Sequence, residues 1–228
     1  MSKIPHKFLL SLVFFQCLAS LSGAALAQSE PEKLVIAAEK TFDNFVRDPD
    51  MTWIQQNLAK ARAVLIAPAV VKAGFIFGGS GGRAVLLATD PKTGKWHGPA
   101  FYTLATASVG FQAGIELSEV VMLVMTDRGL NSLLGGTFKL GGDVGIAAGP
   151  VGAGAKSSIT SDFVSFNRSK GIYGGLNFDG SSVSLNDDWN QSYYKQSATS
   201  TDILVRYSAV NGHSAKLLEA LAAAANRK

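Results

Sequence analysis

The run Gly78-Gly79-Ser80-Gly81-Gly82 matches G-x-S-x-G, the spacing that sets a nucleophilic serine on a strand-to-helix elbow in serine hydrolases. Such chemistry needs Ser80 exposed beside an oxyanion hole, with an imidazole to take its proton. Residues 73–77 read as a strand leading in, but residues 84–88 read as another strand where a helix is required. A glycine-rich hairpin between two strands gives the same match by composition alone. Beyond the first 27 residues, histidine occurs only as His97 and His213, and neither has a triad context. The expectation is a protein that is not an enzyme, with a Ser80 hydrolase as the lesser alternative.

The same glycines also suit an anion. Backbone amides in a glycine turn can form a nest for phosphate, and Arg83 follows directly. A nucleotide P-loop is not expected, because G-x-x-x-x-G-K-[ST] is missing and no helix pattern follows. The plain alternative is a tight turn with a solvated arginine. Two scattered histidines and isolated carboxylates give no metal-ligand spacing, and Asp187-Asp188 near Asp179 lack the D-x-D-x-D-G pattern of a calcium loop. No cofactor is expected. Trp96, Trp189, Tyr193 and Tyr194 read as wall residues at strand ends rather than a cofactor box. The side chains best suited to a ligand are cations directed at phosphate: Lys60, Arg62, Lys72 and Arg83, the arginines able to bind bidentately.

Residues 1–27 have the form of an export signal. Lys3 and Lys7 precede an apolar run that ends in Ala25-Leu26-Ala27, a small-x-small site. The single cysteine, Cys17, falls inside this segment and follows Gln16, which is unlike a lipoprotein site. An exported protein, periplasmic or secreted, is expected, with residues 28–228 as a single domain held by its core rather than by disulfides. The formal net charge of +4 falls to +2 once Lys3 and Lys7 are discounted. So small a balance gives no electrostatic case for nucleic-acid binding.

The elements that must position these residues divide into a helical entry, a long β-region and a helical exit. Leu34, Val35, Ala38, Phe42, Phe45 and Val46 recur at helical spacing, and Asp48-Pro49-Asp50 ends that helix. Thr52 and Gln55 form a capping box for a second helix with Ile54, Leu58, Ala61 and Leu65 on one face. Two helices covering a sheet are expected; the alternative is a membrane-surface helix dipping Phe45 and Trp53 into headgroups beside Lys60 and Arg62. The period then drops to two. Val109, Phe111, Ala113, Ile115 and Leu117 alternate along one strand, and Phe138, Leu140, Val144, Ile146 and Ala148 along another. Alternation returns in Ile172, Leu176 and Phe178, and in Val183 and Leu185. Residues 90–94 and Asp179-Gly180 read as turns, and residues 157–162 as a polar loop. Thr126 can cap a short helix ended by Gly135, and Ser214 a terminal one carrying Leu217, Leu218 and Leu221. So many glycines in strands imply bulges and close backbone approach. The fold expected is α+β: a strongly curved antiparallel sheet, barrel-like, with N-terminal amphipathic helices and a C-terminal helix.

Taken in order, VVKAGFIFGGSGGRAVLL, WHGPAFY, ASVGFQAGIE, VVMLVMTDRGL, FKLGGDVGIAAGPVG and FNRSKGIYGGLNFDGSSV, then Asn190 and Tyr193-Tyr194, resemble the SYLF domain family over about residues 33–207. Each piece is only a glycine-rich strand; the ordered set is specific. The resemblance implies a non-catalytic module that binds phosphoinositides or other acidic phospholipids at a membrane surface, with actin binding in fungal relatives. An export signal, and no Src-homology or FYVE sequence of the kind eukaryotic relatives attach, set this chain apart. Peripheral contact with anionic phospholipid is the leading expectation. A structural or protein-interaction role in the cell envelope is the alternative, and actin enters by family analogy alone.

Overall fold

Apolar periodicity and proline placement set the helical entry. The structure, a computed structural model, describes residues 28–74, 77–109, 114–152, 159–169, 172–173 and 178–227; the expected export signal lies outside them. Helix α1 (Glu30–Arg47) opens with Glu32 accepting the Ser29 N–H at 2.8 Å and Pro31 in its first turn, and it buries Val35, Ala38, Phe42, Phe45 and Val46. A 3-10 turn (Pro49–Met51) leads into α2 (Thr52–Asn57). This helix is shorter than the pattern suggests. Met51, not Thr52, stands at its N-cap; Thr52 Oγ1 donates to Pro49 O, and the Gln55 amide donates to the Val46 and Asp48 carbonyls. Leu58 falls in a second 3-10 turn and Leu65 in a strand. The membrane-surface reading of these helices is overturned, because Phe45 and Trp53 are both buried, the latter against Phe166 with ring centroids 5.7 Å apart.

Four long strands follow: β1 (Ala63–Gly74), β2 (Phe77–Thr89), β3 (Trp96–Val109) and β4 (Gly114–Val124). Then come α3 (Asp127–Leu134), β5 (Phe138–Lys139), β6 (Ile146–Ala148), β7 (Phe163–Ser169), β8 (Ile172–Tyr173) and β9 (Ser182–Leu185). The chain closes with α4 (Asp187–Tyr194), α5 (Ser200–Leu204) and α6 (Ala215–Ala225). All strands join one sheet in the order β5-β9-β3-β2-β1-β4-β7-β6, with β8 paired to β7. The run β3-β2-β1-β4 is a Greek key. Pairing is antiparallel except between β6 and β7, which are parallel. Register shifts at Ile66/Ala69, beside Pro68, and at Leu86/Ala88 bend the long strands. The first and last strands of this order, β5 and β6, are joined by residues 140–145 alone, and Phe138 on β5 stacks on Phe163 of β7 at 5.8 Å. The sheet therefore curls towards closure, and the fold is α+β with a barrel-like sheet flanked by N-terminal helices and a C-terminal helix.

Three strand readings change. Residues 108–109 end β3 and 114–117 begin β4, which run in opposite directions, and residues 110–113 lie outside the described residues. The pattern from Phe138 to Ala148 is two short strands around a turn at Gly141, whose φ is +79°. Residues 78–82 are no turn but the interior of β2, paired to β1 on one side and β3 on the other. Glycine is required there by close approach: a Cβ on Gly82 would stand 2.4 Å from the Ala69 carbonyl oxygen, and one on Gly79 2.9 Å from that of Thr106.

Successive residues of a strand face opposite ways, so β3 sorts the layers. Phe101 packs edge-on against Trp189 and Tyr193 of α4. Its neighbour Tyr102 points the other way, its hydroxyl donating to Leu133 O of α3 at 2.8 Å. One sheet face thus carries α4 and the other α3. Near Ala63, Ala84 and Val124 both faces are covered, and residues 63–67, 84–88 and 120–124 are all buried. Towards Gly74 and Gly114 the four long strands project beyond these helices.

Candidate functional site

The four phosphate-directed cations occupy separate places. Lys60 is exposed at the end of its 3-10 turn and donates to Asn57 Oδ1 at 3.1 Å. Arg62 is drawn to the first turn of α3, where its Nε donates to Asp127 Oδ1 at 2.6 Å. Lys72 lies ten residues further along β1, roughly 30 Å away at about 3.3 Å per residue. It shares the α3 face with Ser80, Thr106 and Glu116, which stand beside it in register. Arg83 is on the opposite, α4 face. It donates to Thr103 Oγ1, and its guanidinium carbon sits 5.3 Å from the centroid of the Trp189 ring. Around it Thr103, Leu185, Asn186, Asp187, Asp188 and Trp189 line an open groove of about 420 Å³. Lys60 and Arg62 lie two residues apart but engage different partners, Asn57 and Asp127, while Lys72 and Arg83 stand on opposite faces of the sheet.

The serine and glycine readings separate in the same way. Ser80 pairs with Thr106, whereas His97 pairs with Ala88, eight residues along β2 and about 26 Å distant. His213 belongs to a turn beside Tyr193, its Nδ1 3.4 Å from the Tyr193 hydroxyl. No helix leaves the glycine run, so the elbow geometry is missing. The anion nest is overturned too: the backbone of residues 78–82 lies in a ladder with strands on both sides. Trp96 does stand at a strand end, but Trp189, Tyr193 and Tyr194 belong to α4.

Polar groups that sequence reasoning passed over form two tethers. Asp162 is buried at 3% exposure and accepts from Thr126 Oγ1 at 2.5 Å, from Gly145 N at 2.8 Å and from the Arg128 guanidinium, whose Nε lies 3.0 and 3.1 Å from its two oxygens. The Arg128 hydrogen bonds, helped by those from Thr126 and Gly145 and opposed by burial, hold its carboxyl at about 2. Asp162 so ties the start of α3 to the entry of β7 and the turn before β6. Glu119 on β4 accepts from Thr41 of α1 at 3.0 Å and pairs with Arg168 of β7, which also lies over the Phe45 ring. These contacts fix elements to one another. They offer no substrate an acid, base or nucleophile.

The projecting half of the four long strands is different. On its α4 face Ile115 is 79% exposed, Leu117 54% and Val71 45%. On its α3 face polar side chains bond to one another: Thr106 Oγ1 lies 2.6 Å from Ser181 Oγ, and Ser118 and Ser169 join Glu116. Among the described residues, no helix is long and apolar enough to cross a membrane.

Comparison with known proteins turns this geometry into a family. The model described as Ysc84, Las17-binding protein actin regulator, matches residues 105–224. SH3 domain-containing YSC84-like protein 1 of Bos taurus is 31% identical over 161 residues, covering 68% of this chain and 47% of that protein. Protein YSC84 of Saccharomyces cerevisiae is 32% identical over 154 residues, covering 64% and 32%. LAS seventeen-binding protein 3 of the same yeast is 31% identical over 185 residues, covering 78% and 40%. The chain spans about a third to a half of the length of these relatives. With more than half of its residues matched by the family model, and with the ordered glycine-rich strands of that family forming the curled sheet described above, the chain belongs to the Ysc84 family of SYLF domains.

Proposed function

We propose that this chain is a non-catalytic, exported binding module that attaches peripherally to membranes through anionic phospholipid headgroups. The observation that carries the reading is the projecting end of β1–β4, where Arg83 shares a sheet face with the exposed apolar side chains of Val71, Ile115 and Leu117, and Lys72 stands on the opposite face. Cations next to apolar surface are the combination that holds a protein at a headgroup layer. Lys60 and Arg62 would supply further cationic contacts at the far end of β1, with Arg62 shared with Asp127. The test is co-sedimentation with phosphatidylglycerol or cardiolipin vesicles against phosphatidylcholine vesicles. Preferential recovery with the anionic vesicles is expected. Equal recovery with neutral vesicles, unchanged in Lys60→Ala and Arg62→Ala variants, counts against those two cations.

A second reading is favoured by the names of the relatives, which describe binding of Las17 and regulation of actin. A protein of the cell envelope would then be held on the surface, for which the open groove lined by Ile36, Glu39, Asp43 and Arg47 of α1 and Lys216 of α6 is a candidate. Saturable capture of one envelope protein in lipid-free detergent extract would support it over the lipid reading.

A further inference from the structure

The α4 face of the projecting strands is continuous across all four of them. One cross-strand row reads Ala105, Gly81, Val71, Leu117; the next reads Ala107, Gly79, Ala73, Ile115. None of these eight residues has a charge or a hydrogen-bonding side chain. The matching row on the other face reads Thr106, Ser80, Lys72, Glu116. The sheet here is inverted relative to the rule in water, apolar towards the outside and polar towards the inside. Strands whose outer face meets hydrocarbon have this pattern.

Size and rim select the occupant. Four strands about 4.8 Å apart, over four residues of about 3.3 Å each, give a face of roughly 250 Å². A stable protein partner or second copy buries about 800 Å² on each side, so the patch is too small for either. A lipid layer sets no such minimum. Two glycines and three alanines keep the face flat, and β1 and β2 are paired on both sides, so the middle of the patch has no backbone group that needs water. At its border, one row below Ala105 and Gly81, stand Arg83 and the Trp189 ring, an amphipathic pair of the sort found at the headgroup level. Asp187 and Asp188 flank that border and offset the arginine, so the face itself relies on apolar contact rather than charge. The outer edges of β3 beyond Ala105 and of β4 before Ser118 have no strand partner among the described residues, which keeps the sheet at the headgroup boundary and out of the bilayer centre.

We infer that this face lies flat on the lipid surface, with Val71, Leu117 and Ile115 among the upper acyl chains and Arg83 and Trp189 at headgroup level. The inference rests on the membrane reading above and names the part of the molecule that makes contact. The test uses vesicles of 30% phosphatidylglycerol in phosphatidylcholine, at 0.1 M and 0.5 M salt, with the purified protein, the double variant Ile115→Ser/Leu117→Ser, and Val210→Ser, which removes an equally exposed apolar side chain from the segment between α5 and α6. The double variant should partition about tenfold or more weakly, Val210→Ser as the unaltered protein, and part of the unaltered protein's binding should survive 0.5 M salt. Circular dichroism verifies folding, and Val71→Ser repeats the measurement on β1 should the double variant unfold. Binding unchanged in a folded double variant overturns this inference and leaves the membrane reading standing. So does loss of all binding at 0.5 M salt, which would make the attachment purely electrostatic. If the unaltered protein binds these vesicles at neither salt concentration, the membrane reading itself falls. A dimer of the unaltered protein in light scattering that the double variant abolishes would reassign the face to self-association.

Discussion

Asp162→Asn isolates one charge inside the tether between α3, β6 and β7. The carboxyl stands at about 2 instead of its ordinary 3.8 because Arg128, Thr126 and Gly145 all donate to it. At about 1.4 kcal/mol per pH unit the difference corresponds to roughly 2.5 kcal/mol of folding stability. Arg128 is 69% exposed, and solvent screening of that partner makes the figure a ceiling. The sign follows from a folded-state value below the unfolded one. The contribution is complete above pH 3.8, and is lost as pH falls through the range from 3.8 to about 2. Urea unfolding followed by circular dichroism, from pH 7 down to pH 2, should show the variant less stable by about 2 kcal/mol at pH 5–7. The gap should close towards pH 2, where the native carboxyl is itself protonating. A gap of constant size at every pH would mean that lost packing, not charge, is responsible. A gap below about 0.5 kcal/mol at neutral pH, the size of an ordinary surface effect, would refute the argument outright.

Two further outcomes probe β2 and the neighbouring β3. Gly82→Ala forces a Cβ to within 2.4 Å of the Ala69 carbonyl oxygen and 3.2 Å of Val70 Cα; a loss of about 1–3 kcal/mol is expected, and an unchanged urea midpoint would contradict the close approach of β1 and β2. His97 stacks on Tyr207 at 3.6 Å, and burial, opposed by Asp90, holds its imidazole below the ordinary 6.5. Its neutral form is therefore favoured by folding, so the associated stability is present above pH 6.5 and declines as pH falls below it. An NMR titration placing His97 above 6.5 would reject that environment.

The outline was legible where one local signal settles the matter. Val35, Ala38, Phe42 and Phe45 mark α1, the apolar residues 120–124 mark β4, and Thr126 with Gly135 brackets α3, its hydroxyl accepting from Gly129 N at 3.1 Å. Local signals misled where the cause lies in a distant strand. Glycine disfavours strands by itself, so residues 78–82 suggest a turn. Only the arrival of Ala69 beside Gly82 and of Thr106 beside Gly79 denies those two strand positions a side chain. The alternation from Val109 to Leu117 reads as one strand in sequence, although Val109 closes β3 and Gly114 opens β4. Asp162 looked like part of a solvated loop because its partner Arg128 is 34 residues away. The four cations were visible as residue types. Their separation was not, because it depends on β1 carrying Lys72 the length of the sheet away from Arg62, and on the register that sends Lys72 and Arg83 to opposite faces.

The central position of β1 has a consequence for how the chain folds. Its first neighbour, β2, follows at once, so that hairpin can form early. Its second neighbour is β4, with Ala63 meeting Val124, and β4 in turn waits for Phe163 on β7. Until those later residues arrive, the greasy edge of Val64, Leu65 and Ile66 remains available to any passing extended chain. High contact order of this kind slows folding and lengthens the interval in which misassembly competes with it. A nascent molecule is thus most vulnerable at the strand that the finished one shields best.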